Sequence, residues 1–159
     1  MLIKFAVKNF RGFAERIEWD LSHPSNYSFN TYAVKDGVIK NGIIYGPNGS
    51  GKTNFSVALF DIVNHLTQKS KKPDYYQNFV YGGDSNLNVD FEYTFKFDDQ
   101  TIEYKYSKNV FGALVKEALI VDGTVIFKRR IGALELNEQQ FPINKDAKRN
   151  LQINANSLS

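Results

Sequence analysis

The sequence predicts an α/β fold in which a strand, a glycine-rich loop and a helix are joined to an antiparallel β subdomain. The first observation is the run GPNGSGKT, Gly46 to Thr53, which follows a short apolar segment and precedes residues with helical spacing. The second is the alternation of apolar and polar residues on both sides of this unit, which is typical of hairpins. The 159 residues are 42% hydrophobic and 23% charged, which fits one globular unit with a sizeable core.

An N-terminal hairpin is the first predicted element. Ile3, Phe5 and Val7 recur at every second position, which is the period of a half-buried strand. A second strand is predicted from Arg16 to Leu21, where apolar residues again alternate with polar ones. The break at residues 9–13 separates the two strands, so they are expected to pair.

The glycine-rich unit comes next. Residues 42–45, Gly-Ile-Ile-Tyr, are predicted to form a short buried strand that delivers the chain to the loop. From Thr53 to Gln68, apolar residues recur at spacings of three and four, which predicts a helix of about four turns with one buried stripe. Strand, loop and helix thus follow one another in the order that a phosphate-binding loop requires.

Antiparallel strands are predicted to return after a polar connection. Residues 70–83 are polar and interrupted by Pro73 and two glycines, so they are interpreted as a long surface connection. Alternation over residues 87–97 and 102–106 predicts a hairpin, and the pair 117–121 and 124–130 predicts another. The Asn-rich residues 137–159 show no clear period and are interpreted as a loop or an element without its partner.

The glycine-rich run has the composition of a phosphate-binding P-loop. Gly46, Gly49 and Gly51 allow backbone N–H groups to turn toward one point at the start of a helix, where the helix dipole also favours anions. Lys52 would reach the outer phosphates of ATP, and the hydroxyl of Thr53 would ligate the Mg²⁺ that bridges them. The alternative is a glycine-rich turn that matches by chance, which the flanking strand and helix disfavour.

Residues 45–54, Tyr-Gly-Pro-Asn-Gly-Ser-Gly-Lys-Thr-Asn, resemble the P-loop of ABC-type ATPases of the SMC and OLD group. The run Lys8–Phe13 supports the resemblance, because that family characteristically opens with a strand ending in Asn-Phe-Arg. The resemblance implies an ABC-type P-loop NTPase lobe with an antiparallel β subdomain, which we expect to be incomplete. Many bacterial members are anti-phage defence ATPases, including the PARIS and Septu types and abortive-infection proteins.

The resemblance also implies the residues of a nucleotide site. Arg11 is a candidate nucleotide contact from the loop after the first strand, and the alternative is an exposed turn arginine. Asn48 would lie over the phosphates, and it also suits a turn in a left-handed conformation. Thr53 is the expected metal ligand. The expected cofactor-binding set is Arg11, Gly46, Pro47, Asn48, Gly49, Ser50, Gly51, Lys52, Thr53 and Asn54.

The residues that ABC-type ATPases use for hydrolysis are not identifiable, so no catalytic residue is predicted. The family needs an apolar strand ending in Asp-Glu, a glutamine loop, a signature helix and a switch histidine. Residues 118–122 form an apolar run closed by an acid, but Gly123 follows, and Asp-Gly between alternating strands predicts a hairpin turn. We therefore expect the front part of a longer ATPase, with residues 1–68 as the P-loop core, 69–136 as hairpins and 137–159 as a connection to a further portion.

Composition excludes several classes of protein. Cysteine is absent and His23 and His65 are the only histidines, so disulfide and transition-metal sites are not expected. No apolar stretch approaches the ~18 residues of a membrane span and no secretory signal is present, so a cytoplasmic protein is expected. The net charge is +3, and the basic runs 69–72 and 128–130 are interpreted as solvated faces, with nucleic-acid binding as the alternative.

The sequence thus predicts ATP binding and, in the complete protein, Mg²⁺-dependent ATP hydrolysis coupled to DNA surveillance or anti-phage defence. The expected partners are further copies of the chain, in a homodimer or larger homo-oligomer, with an effector protein and DNA as additional candidates and no membrane. The alternative is a non-catalytic, nucleotide-gated scaffold that holds an effector such as a nuclease. A kinase or GTPase is a third hypothesis, which the hairpins on both sides of the loop disfavour.

Overall fold

A computed structural model describes residues 1–25, 28–29, 31–67, 73–139 and 144–156. Its main feature is a seven-stranded antiparallel sheet in the order β2-β1-β5-β6-β7-β8-β9, and β3 and β4 form a separate two-stranded sheet. The strands are β1 (Leu2–Lys8), β2 (Ile17–Asp20), β3 (Val34–Lys35), β4 (Val38–Ile39), β5 (Val89–Phe97), β6 (Gln100–Lys108), β7 (Leu114–Val121), β8 (Thr124–Arg130) and β9 (Ala133–Leu136). The α-helices are α1 (Lys52–Leu59), α2 (Asp61–Leu66) and α3 (Lys145–Asn156).

The core lies between one face of the sheet and helices α1 and α2. Alternate residues of β1, β5 and β6 point to this face, because side chains along a strand alternate between the two faces. Phe5, Phe91 and Tyr93 are fully or almost fully buried there, and Phe55 of α1 packs edge-on against Phe5. Ala58 of α1 is fully buried, so the helix approaches the sheet closely.

The predicted hairpins are confirmed. β1 pairs with β2, with Phe5 opposite Trp19, and β5 pairs with β6 along its whole length. β7 and β8 pair across the turn at Asp122 and Gly123, whose φ values of 48° and 75° are left-handed. Asp and Gly tolerate that conformation better than most residues, which is why the dipeptide marked the turn in the sequence.

The predicted α/β class is wrong, because the fold is mainly one antiparallel sheet with few helices. Residues 42–45, expected to form a buried strand before the loop, belong to no strand, and Ile43 and Tyr45 are 90% and 91% exposed. A buried parallel strand needs neighbouring strands and layers on both faces. The described parts of the chain provide no parallel strand, so the apolar sequence alone cannot produce the sheet of an ABC-type P-loop NTPase lobe.

Three other expectations need correction. The helix predicted from Thr53 is divided into α1 and α2 at Phe60, and its expected end at Gln68 lies outside the described residues. The predicted surface connection contains Phe79 and Val80, which are 0% and 1% exposed. The C-terminal segment 137–159, interpreted as a loop or an element without its partner, contains the whole of α3, and β9 precedes it.

Candidate functional site

The glycine-rich loop adopts a conformation that leaves the start of α1 open. Gly49 and Gly51 have φ values of 82° and 92°, which side-chain-bearing residues rarely adopt. Gly51 is the N-cap of α1, and no side chain caps the helix. The first turn, which starts at Lys52, contains no acidic residue. The amides and the positive end of the helix dipole therefore have no built-in anionic partner.

Lys52 folds its side chain back over this loop. Its Nζ atom donates hydrogen bonds of 2.7 and 2.9 Å to the backbone carbonyl oxygens of Gly46 and Pro47. Thr53 follows at an exposed position in the first turn of the helix. The ammonium and the hydroxyl thus belong to the same helix start as the open amides, as the motif predicts.

The remaining loop residues shape the turn. Asn48 and Ser50 are exposed, and the Ser50 amide donates to the carbonyl of Pro47 at 3.3 Å. A Cβ atom on Gly46 would lie 2.9 Å from Oγ of Ser50, so a side chain at Gly46 would disturb the loop. The loop is therefore compact around its glycines and open to solvent.

Phe13 supports the loop from the N-terminal hairpin. A Cβ atom on Gly51 would lie 2.8 Å from Cε1 and from Cζ of its ring. Such a distance is shorter than a real contact allows, so a side chain at Gly51 would have to displace the Phe13 ring. The segment after β1 thus sets the position at which α1 begins.

Arg11 lies beside the first turn of α1. Its NH1 atom donates to Oδ1 of Asn54 and its NH2 atom donates to the Tyr75 carbonyl, both at 3.4 Å. The guanidinium carbon is 5.4 Å from the ring centroids of both Phe10 and Tyr75. The buried Nε atom has no hydrogen-bond partner among the described residues. The side chain is half-buried, so it is not the fully exposed turn arginine that the sequence left open.

Tyr75 is a neighbour of the site that the sequence analysis missed. It belongs to a short 3-10 helix, Pro73–Tyr76, within the segment interpreted as a surface connection. Its ring packs against Phe79, which anchors the segment in the core. The spacing of Tyr75, Tyr76 and Phe79 at three and four residues was the available signal, because it places aromatic rings on one side of a helical turn.

A buried polar cluster fixes the junction between α1 and α2. The Tyr93 hydroxyl donates to the Ala58 carbonyl at 2.9 Å, and the Tyr106 hydroxyl donates to Oδ2 of Asp61 at 2.8 Å. Lys108 Nζ lies 2.6 Å from the same Asp61 oxygen. Burial raises the pKa of both Tyr93 and Tyr106, so these phenols remain neutral donors.

A second cluster holds the other end of α2. The Tyr104 hydroxyl donates to Oε2 of Glu117 at 2.6 Å and lies 2.8 Å from Nε2 of His65. Arg129 NH2 is 2.5 Å from the other oxygen of Glu117. Burial acts to raise the pKa of Glu117, but hydrogen bonds from His65 and Tyr104 and the charge of Arg129 outweigh it, and the pKa is lowered. Together the two clusters fix α1 and α2, the helices that follow the glycine-rich loop, to the sheet.

Asp122, the acidic residue that closes the apolar run 118–122, has a structural role. The backbone N–H of Thr101 donates to Oδ1 of Asp122 at 2.8 Å, and Asp122 lies in the hairpin turn between β7 and β8. This agrees with the turn that the sequence predicted. Within the part of the chain that is described, no group of three or more His, Cys, Asp or Glu side chains could hold a metal ion.

Comparison with protein-family models and with curated proteins finds no match to this sequence. Among the described helices, none combines the length and the apolar composition needed to cross a membrane. The geometry of the glycine-rich loop and its neighbours is therefore the main indication of what the chain binds.

Proposed function

We propose that the chain binds a nucleoside triphosphate, ATP in the first instance, at the loop between Gly46 and Thr53. The observation that carries the proposal is the uncapped start of α1, where two left-handed glycines precede Lys52 and no acidic side chain occupies the first turn. A helix start with free amides and a neighbouring ammonium is a favourable position for phosphate.

The residues present fit this ligand. Lys52 would exchange the carbonyl oxygens of Gly46 and Pro47 for phosphate oxygens, which carry more negative charge. Thr53 would hold the Mg²⁺ that accompanies the nucleotide, and the ion would neutralise part of the phosphate charge. Arg11 supports the site by its hydrogen bond to Asn54, and its half-buried guanidinium is a candidate for direct contact with the nucleotide.

The proposed setting is an SMC/OLD-like ATPase that works in DNA surveillance or phage defence as a homo-oligomer, together with an effector protein. Support for this setting comes from the resemblance of the loop sequence and of the run Lys8–Phe13 to that family. ATP hydrolysis coupled to that setting is the favoured activity.

The second candidate is a nucleotide-gated scaffold that binds ATP without hydrolysing it. It is favoured by the position of Asp122 in a hairpin turn, where its carboxylate accepts a backbone hydrogen bond. An acid used in this way does not orient an attacking water. The first turn of α1 likewise offers no acidic residue.

Calorimetry with Mg²⁺ and ATP tests binding. The native chain should release or absorb heat, and Lys52→Ala should weaken binding at least about tenfold, or about 1.4 kcal/mol, because a charge-assisted phosphate contact is lost. Lys40→Ala is the matched control, since Lys40 is an exposed lysine outside the loop. Equal affinities of the two variants, or no heat from the native chain, would contradict the proposal.

A phosphate-release assay under the same conditions separates the two candidates. Turnover that is lost in Lys52→Ala supports the ATPase. ATP binding with no turnover supports the scaffold.

A further inference from the structure

The face of the sheet opposite to α1 carries two rows of side chains that line a groove of about 440 Å³. Phe91 and Tyr106 point to the helices, so the residues that precede and follow them along β5 and β6 point to this open face. Each row runs across five strands, from β5 to β9. The rows are Glu92, Lys105, Ala118, Lys128 and Glu135, and Asp90, Ser107, Lys116, Arg130 and Ala133.

The centre of the groove is basic. Lys116 lies directly opposite Arg130 on the neighbouring strand, and Lys128 is two residues before Arg130 on the same face. Like charges that face each other across a strand pair destabilise the sheet. Within the described residues, neither Lys128 nor Arg130 forms an ion pair. Asp90 compensates Lys116 in part, and an external anion would relieve the repulsion that remains.

The acidic residues at the β5 end of the groove already have partners. Glu92 accepts hydrogen bonds of 3.2 and 3.1 Å from Arg16. Asp90 accepts a hydrogen bond from Ser107 and lies 3.6 Å from the Lys116 ammonium. Glu135 lies directly opposite Lys128 on β9, but among the described residues the two form no ion pair. The carboxylates of the groove therefore make no direct ion pair with Lys128 or Arg130.

Strand alternation explains why the basic run 128–130 does not form one patch. Arg129 points to the helix side, where it pairs with the buried Glu117. Lys128 and Arg130 point to the open face and are exposed. Arg129 is thus structural, and its two neighbours remain available to a ligand.

We infer that this basic groove, centred on Lys116, Lys128 and Arg130, binds the sugar-phosphate backbone of a nucleic acid. Neighbouring strands are about 4.8 Å apart and alternate residues of one strand are about 7 Å apart, so the backbone positions of the three cations lie within about 8 Å. Their long side chains can reach successive phosphates of one strand, which carries a charge about every 3.4 Å. The small side chains of Ser107 and Ala118 keep the floor of the groove low enough for a backbone to approach.

An acidic protein segment fits the same groove less well. Glu92 and Glu135 lie at the two ends of one row and would repel any further anion, a phosphate as well as a carboxylate. The hydroxyl and amino groups of a nucleic acid can instead donate hydrogen bonds to these side chains. Phosphate contacts carry no sequence information, so binding should be independent of base sequence.

Fluorescence anisotropy with labelled oligonucleotides tests the inference on the whole chain without ATP. The probes are duplex DNA, single-stranded DNA and single-stranded RNA. Comparison of the three affinities shows which form of the backbone binds. Lys128→Gln/Arg130→Gln should weaken binding at least about tenfold at low salt and reduce the slope of log K against log salt by about two units, because each phosphate contact contributes about 0.9.

Lys35→Gln/Lys40→Gln is the matched control, because it removes the same charge from exposed positions in and beside the separate β3–β4 sheet. It should leave affinity and slope unchanged. Equal losses in the two double variants, equal binding of polyglutamate, or no binding of any oligonucleotide by the native chain would each overturn the inference. The groove does not include the P-loop, so Lys52→Ala should keep nucleic-acid binding whether or not ATP binds.

Discussion

The Lys108 ammonium lies 2.6 Å from Oδ2 of Asp61, so an ion pair joins the end of β6 to the first turn of α2. Their side chains are only 7% and 2% exposed, and Tyr106 donates to the same carboxylate oxygen. The desolvation of two buried charges offsets much of their attraction, so such a pair adds little net stability. Its effect is to specify where α2 docks, because a displaced helix would leave both charges without a partner.

Replacement of Lys108 should therefore lower the free energy of unfolding markedly. Removal of the Asp61 charge in the same chain should restore part of it. Lys108→Met is expected to lower the free energy of unfolding by about 3–5 kcal/mol, because it leaves a buried carboxylate without its cation. Asp61→Asn in the same chain removes that charge and keeps an oxygen that accepts from Tyr106. Urea unfolding of the single and double variants measures the difference. A double variant less stable than Lys108→Met would show that the buried charge is not the cause.

The second cluster predicts a dependence of stability on acid. The pKa of Glu117 is lowered from 4.5 in the folded chain, where Glu117 faces His65, Tyr104 and Arg129. A carboxyl with a lowered folded-state pKa stabilises the fold above its unfolded-state pKa, and this contribution is lost as the pH falls through the folded-state value. Stability should thus decrease as the pH drops below 4.5.

Glu117→Gln should flatten this decrease while lowering stability at neutral pH, because Arg129 then loses its charged partner. Urea unfolding between about pH 6 and pH 3 measures the slope for each chain. Glu135→Gln, at an exposed position outside the cluster, is the control and should keep the native slope. An unchanged slope in Glu117→Gln would assign the acid response to other carboxyls.

The two left-handed glycines of the glycine-rich loop, Gly49 and Gly51, should differ in their tolerance of a side chain. A Cβ atom on Gly49 meets nothing within 4 Å, so Gly49→Ala should cost only the left-handed conformation, about 1–2 kcal/mol. A Cβ atom on Gly51 would also collide with Phe13. Gly51→Ala should therefore lower the free energy of unfolding more than Gly49→Ala does, and it should weaken ATP binding more. Thermal unfolding and calorimetry measure both effects. Phe13→Leu should restore part of the stability that Gly51→Ala loses. If it does not, the collision with Phe13 is not the cause of the loss.

Local patterns predicted the hairpins because each is decided by neighbouring residues. Asp122 and Gly123 specify their turn by backbone conformation alone, and the alternation of Phe91 and Tyr93 specifies which face is buried. The glycine-rich loop could be recognised for the same reason, because its motif consists of neighbouring residues, the glycines and Lys52. The fold class was wrong because a buried parallel strand depends on partners distant in sequence, and residues 42–45 have none in the described chain.

Other features of the site could not be predicted for the same reason. The contact of Arg11 with Asn54 and Tyr75 joins three separate segments, so spacing within any one of them does not reveal it. The basic groove depends on the pairing of Lys116 with Arg130, which requires the strand register. A run of charges in the sequence cannot show which of its members share a face until the strand and its partners are known.

Trp19, the only tryptophan, reports on the segment that leads into the glycine-rich loop. Its ring lies 5.5 Å, centroid to centroid, from Phe55 of α1, and its Cζ2 atom would be 2.7 Å from a Cβ atom on Gly42. Gly42→Ala should therefore displace the indole, shift its emission and lower the free energy of unfolding by about 1–3 kcal/mol. Fluorescence spectra and urea unfolding measure the two effects.

Asn41→Ala is the control for this variant, because Asn41 is the exposed neighbour of Gly42 and should leave both signals unchanged. If Mg²⁺ and ATP order the loop, the native Trp19 emission should change on their addition, and Lys52→Ala should abolish that change. The indole contacts both Gly42 and α1, so a shift on ligand addition would connect phosphate binding to movement of this segment. Native emission in Gly42→Ala would mean that the indole does not pack on the glycine, and Trp19 could then not be used as a reporter of the loop.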